Sequence, residues 1–235
     1  MNHLRRTLPL RHAPLVGEAL DSWLEFLAAR LSCHFEDVLR AMSLPTNDPV
    51  LTHAVPPRWT VLTTAEELAS IAAVSGIAED GLAAMTLQRF DGHALVIHSE
   101  HRRVERQVLW GRSGSRFCPA CLADSAGRWQ LTWRLGWSFA CTRHQTLLAD
   151  YCPHCRTTPR LRAHPRRQTP RPGLCASSAP GERRGPRCHH PLTDTPVTGL
   201  QAEGDAVRTQ RLIDGLLAAP HERVHWPLYG PEGAP

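Results

Sequence analysis

Apolar residues fall into helical spacing at both ends of the chain and into an ambiguous period in the middle. From Gly17 to Leu31, the residues Leu20, Trp23, Leu24, Leu27 and Leu31 recur at steps of three, one, three and four, which places them on one helical face. A second helix is predicted over about Phe35 to Met42, stopping before Ser43-Leu44-Pro45 because a residue preceding proline is pushed out of helical conformation. The proline-containing stretch to Trp59 reads as loop. Thr63-Thr64-Ala65-Glu66-Glu67 offers two overlapping capping boxes, so a third helix starts there and runs to Gly76. Glu79-Asp80 opens a short helix that carries Leu82 and Met85. A last amphipathic helix is predicted from about Asp205 to Ala218, with Val207, Leu212, Ile213, Leu216 and Leu217 as its apolar positions, and the tail HWPLYGPEGAP is expected to fray.

Ala72, Gly76, Ile77, Leu82 and Met85 stand at helix-turn-helix spacing, the alanine permitting close approach and the glycine taking the turn. A base-reading helix exposes Arg, Asn or Gln, whereas EDGLAAMTL presents acids and alanine, so this pair reads as structural. In Trp129-Gln-Leu-Thr-Trp133-Arg-Leu-Gly-Trp137-Ser-Phe-Ala the tryptophans recur every four residues while apolar positions also alternate every two. The expectation is a short helix to about Arg134, a break at Gly136 and a strand into Cys141, with the aromatics supplying core volume rather than stacking on bases.

At 235 residues the chain is long enough for one or two domains with a real core. Its 42% hydrophobic content excludes a disordered chain, and 20 Pro with 16 Gly make loops plentiful without signalling low complexity. No stretch approaches about 18 consecutive apolar residues, and MNHLRRTLPLRHAPLVGE holds no hydrophobic region ahead of a cleavage site. A soluble, cytoplasmic protein is therefore expected.

All 27 cations are arginine, and their distribution divides the chain. Residues 1–110 carry a net charge of −3, residues 111–200 carry +10 and residues 201–235 carry −2. Between Arg156 and Arg187 there are nine arginines, Arg156, Arg160, Arg162, Arg166, Arg167, Arg171, Arg183, Arg184 and Arg187, against the single acid Glu182. Planar guanidinium forks suit phosphate, so this run is the candidate DNA-binding segment, the bland alternative being a basic linker.

Seven of the eight cysteines lie within residues 111–200, the part that holds the basic excess. Without an export signal, C-x-x-C pairs point to metal or redox chemistry rather than disulfides. Cys118-Pro-Ala-Cys121 is followed, after 19 residues, by Cys141-Thr-Arg-His144, two ligands on each of two short loops, which is how a tetrahedral structural zinc site is built. Cys152-Pro-His-Cys155 lies 34 residues after the first pair and Cys175 lies 34 after Cys141, so the plan repeats. The counterpart of His144 would be Ser178, and the fourth ligand is assigned to Cys188, with His190 and the adjacent His189 as alternatives. Cys33 reads as a buried apolar thiol.

Two catalytic readings compete weakly. A thioredoxin-like redox motif needs one C-x-x-C in a βαβ context, not two with matched partners. The zinc deaminase signature H-x-E then P-C-x-x-C is met superficially by His98-Ser99-Glu100 and Cys118-Pro-Ala-Cys121, but Phe117 replaces the proline and Cys141 with His144 would be unused. Thiolate-rich four-ligand zinc leaves no position for water, which points to two structural zinc ions and no catalytic residues.

The motifs also carry a resemblance. Phe117-Cys118-Pro-Ala-Cys121-Leu122, Trp129 with Trp133, Cys141-Thr-Arg-His144-Gln-Thr-Leu147-Leu148, Cys152-Pro-His-Cys155 and Cys188-His-His-Pro-Leu192 resemble the central pattern of the TniQ family. Pro14-Leu-Val-Gly17-Glu18-Ala-Leu-Asp-Ser22-Trp23-Leu24 is similar to that family's opening. The resemblance implies a non-catalytic target-selection subunit of DNA transposition, linking target DNA or a target-recognition complex to an AAA+ regulator. Expected partners are thus DNA, the AAA+ ATPase and a target-recognition complex, with a second copy of the chain as a further candidate and no membrane; such a protein would be nucleoid-associated. A zinc-dependent transcriptional regulator is the alternative.

The expected architecture is mainly α with small zinc-stabilised modules. It places an N-terminal helical, helix-turn-helix-like domain at 1–110, two tandem zinc-finger or ribbon sites with a basic loop at 111–200, and a C-terminal helix with tail at 201–235.

Overall fold

A computed structural model describes residue 7 and residues 12–45, 57–105, 114–161, 164–178 and 186–218. The protein is mixed helical with a few very short strands. Helices α1 (Leu20–Arg30), α2 (Phe35–Ala41), α3 (Ala65–Ser75) and α4 (Glu79–Ala83) precede the hairpin β1 (Ile97–His98) and β2 (Arg103–Val104). Helix α5 (Pro119–Asp124), the hairpin β3 (Ala140–Cys141) and β4 (Thr146–Leu147), and α6 (Asp205–Ala218) follow. Both hairpins are antiparallel.

Local chemistry sets the boundaries. The α1 helix begins three residues later than its pattern predicts, because Gly17 turns in the left-handed region at φ 74° and the Glu18 amide closes a turn on the Leu15 carbonyl. At α3 the capping box used is Thr64 with Glu67: the Glu67 amide donates to Thr64 Oγ1 at 3.1 Å, and the Thr64 amide to Glu67 Oε2 at 2.9 Å. Gly76 ends this helix at φ 76°, where a side chain would cost steric strain. The Trp-rich link forms a 3₁₀ turn at Leu131–Arg134 rather than an α-helix, then a strand into Cys141.

Three apolar clusters form the interior. The first holds Trp23, Leu24, Leu27, Phe35, Leu39, Met42, Ile71, Leu82 and Met85, so α1 to α4 share one core and Met85 is a packing residue. Cys33 sits half-buried at its edge, burial pushing its thiol pKa up. The second cluster surrounds the cysteines. The third takes Phe90, Leu95 and Ile97 from the N-terminal part, Leu131 and Leu135 from the Trp-rich link and Leu217 from α6, and so crosses the boundaries expected at residues 110 and 200.

Helix α6 is rotated from its predicted face. Leu212 is 63% exposed and Leu216 38%, while Val207, Gln210 and Leu217 are buried. Gln210 turns inward because its Oε1 accepts the amides of Phe139 and Ala140, at 2.9 and 3.2 Å, where the chain enters β3. The tail after residue 218 lies outside the described residues. Among the described residues, no helix is long and apolar enough to cross a membrane.

Candidate metal centres and their basic loop

Cys118 is the N-cap of α5, with Pro119 at the first helical position, and its sulfur accepts the Cys121 amide at 3.5 Å. Cys141 closes β3, and its sulfur accepts the His144 amide at 3.4 Å. Each loop thus aims two donors inward while backbone N–H groups stabilise sulfur in its anionic form.

The four donor atoms lie within 4.8 Å of one another. Cys121 and Cys141 sulfurs stand 3.6 Å apart, and His144 Nδ1 stands 3.5, 3.2 and 3.5 Å from Cys118, Cys121 and Cys141. A zinc ion in tetrahedral S₃N coordination requires about 3.8 Å between sulfurs and about 3.6 Å between sulfur and nitrogen, so the set fits. The charges fit as well. Hydrogen bonds from Cys121 and Cys141 hold the Cys118 thiol far below its ordinary range, whereas the Cys118 contact pushes both neighbours up. Three touching thiols cannot all ionise without a cation between them. The outer nitrogen of His144 meets Asp124 Oδ2 at 3.1 Å, and Arg143 pairs with the same carboxylate at 2.7 Å. A carboxylate behind a histidine fixes its tautomer for ligation through the inner nitrogen.

The second cluster brings together Cys152, Cys155, Cys175 and Cys188. Cys152 lies 3.8 Å from Cys188 and Cys155 lies 3.6 Å from Cys175, the spacing of an S₄ tetrahedron. Burial pushes the Cys188 thiol up to about 11 and Cys175 further, so a cation is again needed to hold all four as thiolates.

The 12-residue gap before Cys188 has a simple cause. Residues on either side of it run antiparallel: the Cys175 amide donates to the His190 carbonyl, the His189 amide to the Cys175 carbonyl and the Cys188 amide to the Ser177 carbonyl. Cys175 lies opposite His190 and Cys188 opposite Ser177, so the two cysteines stand diagonally on one face of this ladder. The His190 ring stacks on His154 at 5.7 Å and stays out of the cluster, and His189 is exposed.

Both cysteine sets border one core that includes Phe117, Leu122, Trp129, Trp133, Leu148 and Leu192. Trp129 meets Phe117 and Trp133 at 5.6 Å each, so these aromatics supply interior volume, while Trp137 is 37% exposed. Gly127 and Gly173 pass so closely that a Cβ on Gly127 would stand 2.1 Å from the Gly173 nitrogen. The two clusters form one packed unit.

The arginine run separates into different roles. Arg156 and Arg171 are exposed, and Arg167 is 87% exposed, with Glu36 at 3.5 Å. Arg166 is half-buried, and Arg187 donates to the Ala176 carbonyl and Ser178 Oγ at 3.3 and 3.1 Å. Arg162, Arg183 and Arg184 lie outside the described residues. Arg160 corrects the expectation that every arginine here faces phosphate. It lies half-buried across α1, donating to Asp21 at 2.7 Å and to both oxygens of Glu25 at 3.3 and 2.7 Å, with its guanidinium 4.7 Å over the Trp129 ring.

The loop is also tied to α2. Its carbonyls at Gln168 and Arg166 accept the Phe35 and Glu36 amides, at 3.1 and 2.9 Å, satisfying N–H groups that a helix start leaves unpaired. His164 packs edge-on against Phe35, and burial pushes its imidazole pKa down to about 4.

Sequence reasoning missed the acids that receive this segment. Glu18 is fully buried against Arg128, and Ser22 Oγ donates to Glu18 and accepts the Trp129 amide at 2.7 Å. Asp21 also pairs with Arg134. Burial raises the Asp21 pKa, but the charges of Arg134 and Arg160 outweigh it and hold the carboxyl below its ordinary value. The signal was present: Glu18, Asp21 and Glu25 recur at steps of three and four beside the core positions of α1, in a chain whose later half carries the excess arginine. His98 and Glu100 form a separate group from the cysteines, so the deaminase-like signature does not assemble into one site.

A helical part is joined to two four-donor clusters that could each hold a metal ion, set around one aromatic core. The TniQ family model matches residues 9–148, and the chain belongs to the TniQ family, non-catalytic accessory proteins of DNA transposition. The matched span includes the first cluster and ends before Cys152. No curated protein matches the chain.

Proposed function

We propose that this protein is a target-selection adaptor of transposition: it contacts target DNA, or a target-recognition complex, and presents it to an AAA+ regulator. The observation that carries the reading is the arginine loop of a TniQ-family chain, fastened by a cysteine cluster at its ends and by α1 and α2 between them. A loop held this way loses little further entropy when its arginines meet phosphate.

Zinc is the ion that the S₃N and S₄ donor sets suit, and with all four positions filled it acts as a zinc-finger-like scaffold. Arg156, Arg167 and Arg171, with Arg162, Arg183 and Arg184, make the phosphate contacts, which position DNA without reading bases. The α3–Gly76–α4 pair serves as helix-turn-helix-like scaffold, its exposed acids being unsuited to base edges. In this reading residues 1–110, 111–200 and 201–235 act as three cooperating units, and the protein works in the cytoplasm on the nucleoid.

Two experiments test it. Neutralising Arg167, Arg171, Arg183 and Arg184 should flatten the slope of log K against log[salt] for duplex DNA by roughly 3 to 4, at about 0.9 per lost contact; an unchanged slope contradicts the assignment. Affinity purification from the host after nuclease treatment should retain an AAA+ ATPase. Recovery of DNA fragments alone, before nuclease, would favour the regulator reading instead.

A further inference from the structure

The hairpin tip that sequence analysis set against a deaminase signature carries a donor set of its own. With Ile97 paired to Val104 and His98 to Arg103, residues Ser99, Glu100, His101 and Arg102 form the turn. Arg102 takes a left-handed backbone at φ 50°, and the His101 ring folds back to stack on His98 at 4.4 Å. One donor atom each from His98, Glu100 and His101 lies within 4.8 Å of the others. The His101 amide donates to His98 Nδ1 at 3.4 Å, which orients the ring and leaves Nε2 as the nitrogen that can meet an ion.

The neighbouring cation is drawn off. Arg102 Nε donates to the Leu62 carbonyl at 2.7 Å, and its terminal nitrogen pairs with Glu67, anchoring the hairpin to the start of α3. Arg103 stands across from His98 in the register, and its charge weakens cation binding.

We propose that His98, Glu100 and His101 form a third metal site, one for a divalent first-row ion of the Zn²⁺ or Ni²⁺ class. Two imidazoles and a carboxylate favour such ions over Mg²⁺ or Ca²⁺, which take all-oxygen shells. An ion at about 2.1 Å from each donor needs separations of about 3 to 3.5 Å, which rotation of these accessible side chains provides. Three protein donors leave positions open to water, so this site exchanges its ion, unlike the four-donor clusters. Occupancy would cross-link the turn and stiffen its attachment to α3.

The test is Zn²⁺ titration, followed by equilibrium dialysis, of the full chain after its tightly held metal has been counted. The wild type should take up one further equivalent, reversibly and in the micromolar range. His98→Gln with His101→Gln should abolish that equivalent while leaving the tight ones intact, and Glu100→Gln should weaken it about tenfold. A wild type that takes up no further equivalent overturns the proposal, as does a double variant that binds it unchanged. The tight equivalents are counted separately, so failure here leaves the reading of the cysteine clusters standing.

Discussion

Arg160 reaches from the loop between the second cluster's cysteines and holds both oxygens of Glu25 in α1, at 3.3 and 2.7 Å. The bond joins residues 135 apart in sequence, and both side chains are mostly withdrawn from solvent, with Trp129 beneath the guanidinium. Burial pushes the Glu25 carboxyl up to about 7 against the attraction of Arg160, with the Asp21 charge adding to the rise.

Replacing Arg160 by Ala removes the partner of Glu25 and leaves Asp21 with a single cation, Arg134. Loss of one partner from a buried pair costs about 3–5 kcal/mol. Chemical denaturation should show a loss of that order, with the tightly held metal unchanged. A change below about 1 kcal/mol would mean that the pairing contributes nothing to docking.

The raised Glu25 pKa has a definite sign. Between pH 4.5 and about 7 the unfolded chain has released this proton and the folded one retains it, so the contribution of Glu25 to stability falls as pH rises through that window. Glu25→Gln keeps a neutral side chain throughout. The unfolding free energy of the wild type minus that of the variant should therefore decline from pH 5 to 7; a constant difference contradicts the assignment.

At Gly127, φ is 83° and the Gly173 backbone occupies the space a Cβ would need. Gly127→Ala combines left-handed strain with a backbone collision and should cost at least about 2 kcal/mol, read as a drop in Tm. The same change at Gly92, also at positive φ but with nothing within 4 Å, should cost less, about 1 kcal/mol. Equal effects would mean that the approach of the two clusters is looser than described.

Much of this was legible in the chain. The apolar face of α1, a capping box within Thr63–Glu67 and the cysteine pairs follow from spacing, because a helix turn, a capping box and a C-x-x-C loop are each set by a few neighbouring residues. The sequence points to Cys188 as the fourth member, with His189 and His190 beside it, and the structure groups Cys188 with the other three cysteines; what spacing did not carry is the backbone ladder that brings it there across a 12-residue gap. Arg160 was misread for the same reason: nothing local separates an arginine that meets α1 from one that faces solvent. The outward turn of Leu212 depends on Gln210 capping amides some 70 residues earlier.

On the proposed metal reading, disrupting the second cluster should be felt in α2. Cys175→Ser should release the loop whose carbonyls cap Phe35 and Glu36, so those two amides should lose hydrogen-exchange protection while the Thr64 to Glu67 box keeps its own. Unchanged protection at both residues would show that the loop is held without the cluster.

The central claim is that two cysteine-rich metal centres organise the fold. The most direct test is metal counting by native mass spectrometry of the exhaustively dialysed chain, with zinc-edge X-ray absorption on the same sample. The account predicts two zinc ions per chain and an average shell rich in sulfur, about 3.5 S and 0.5 N per ion. One ion, or a shell containing oxygen from water, would contradict it.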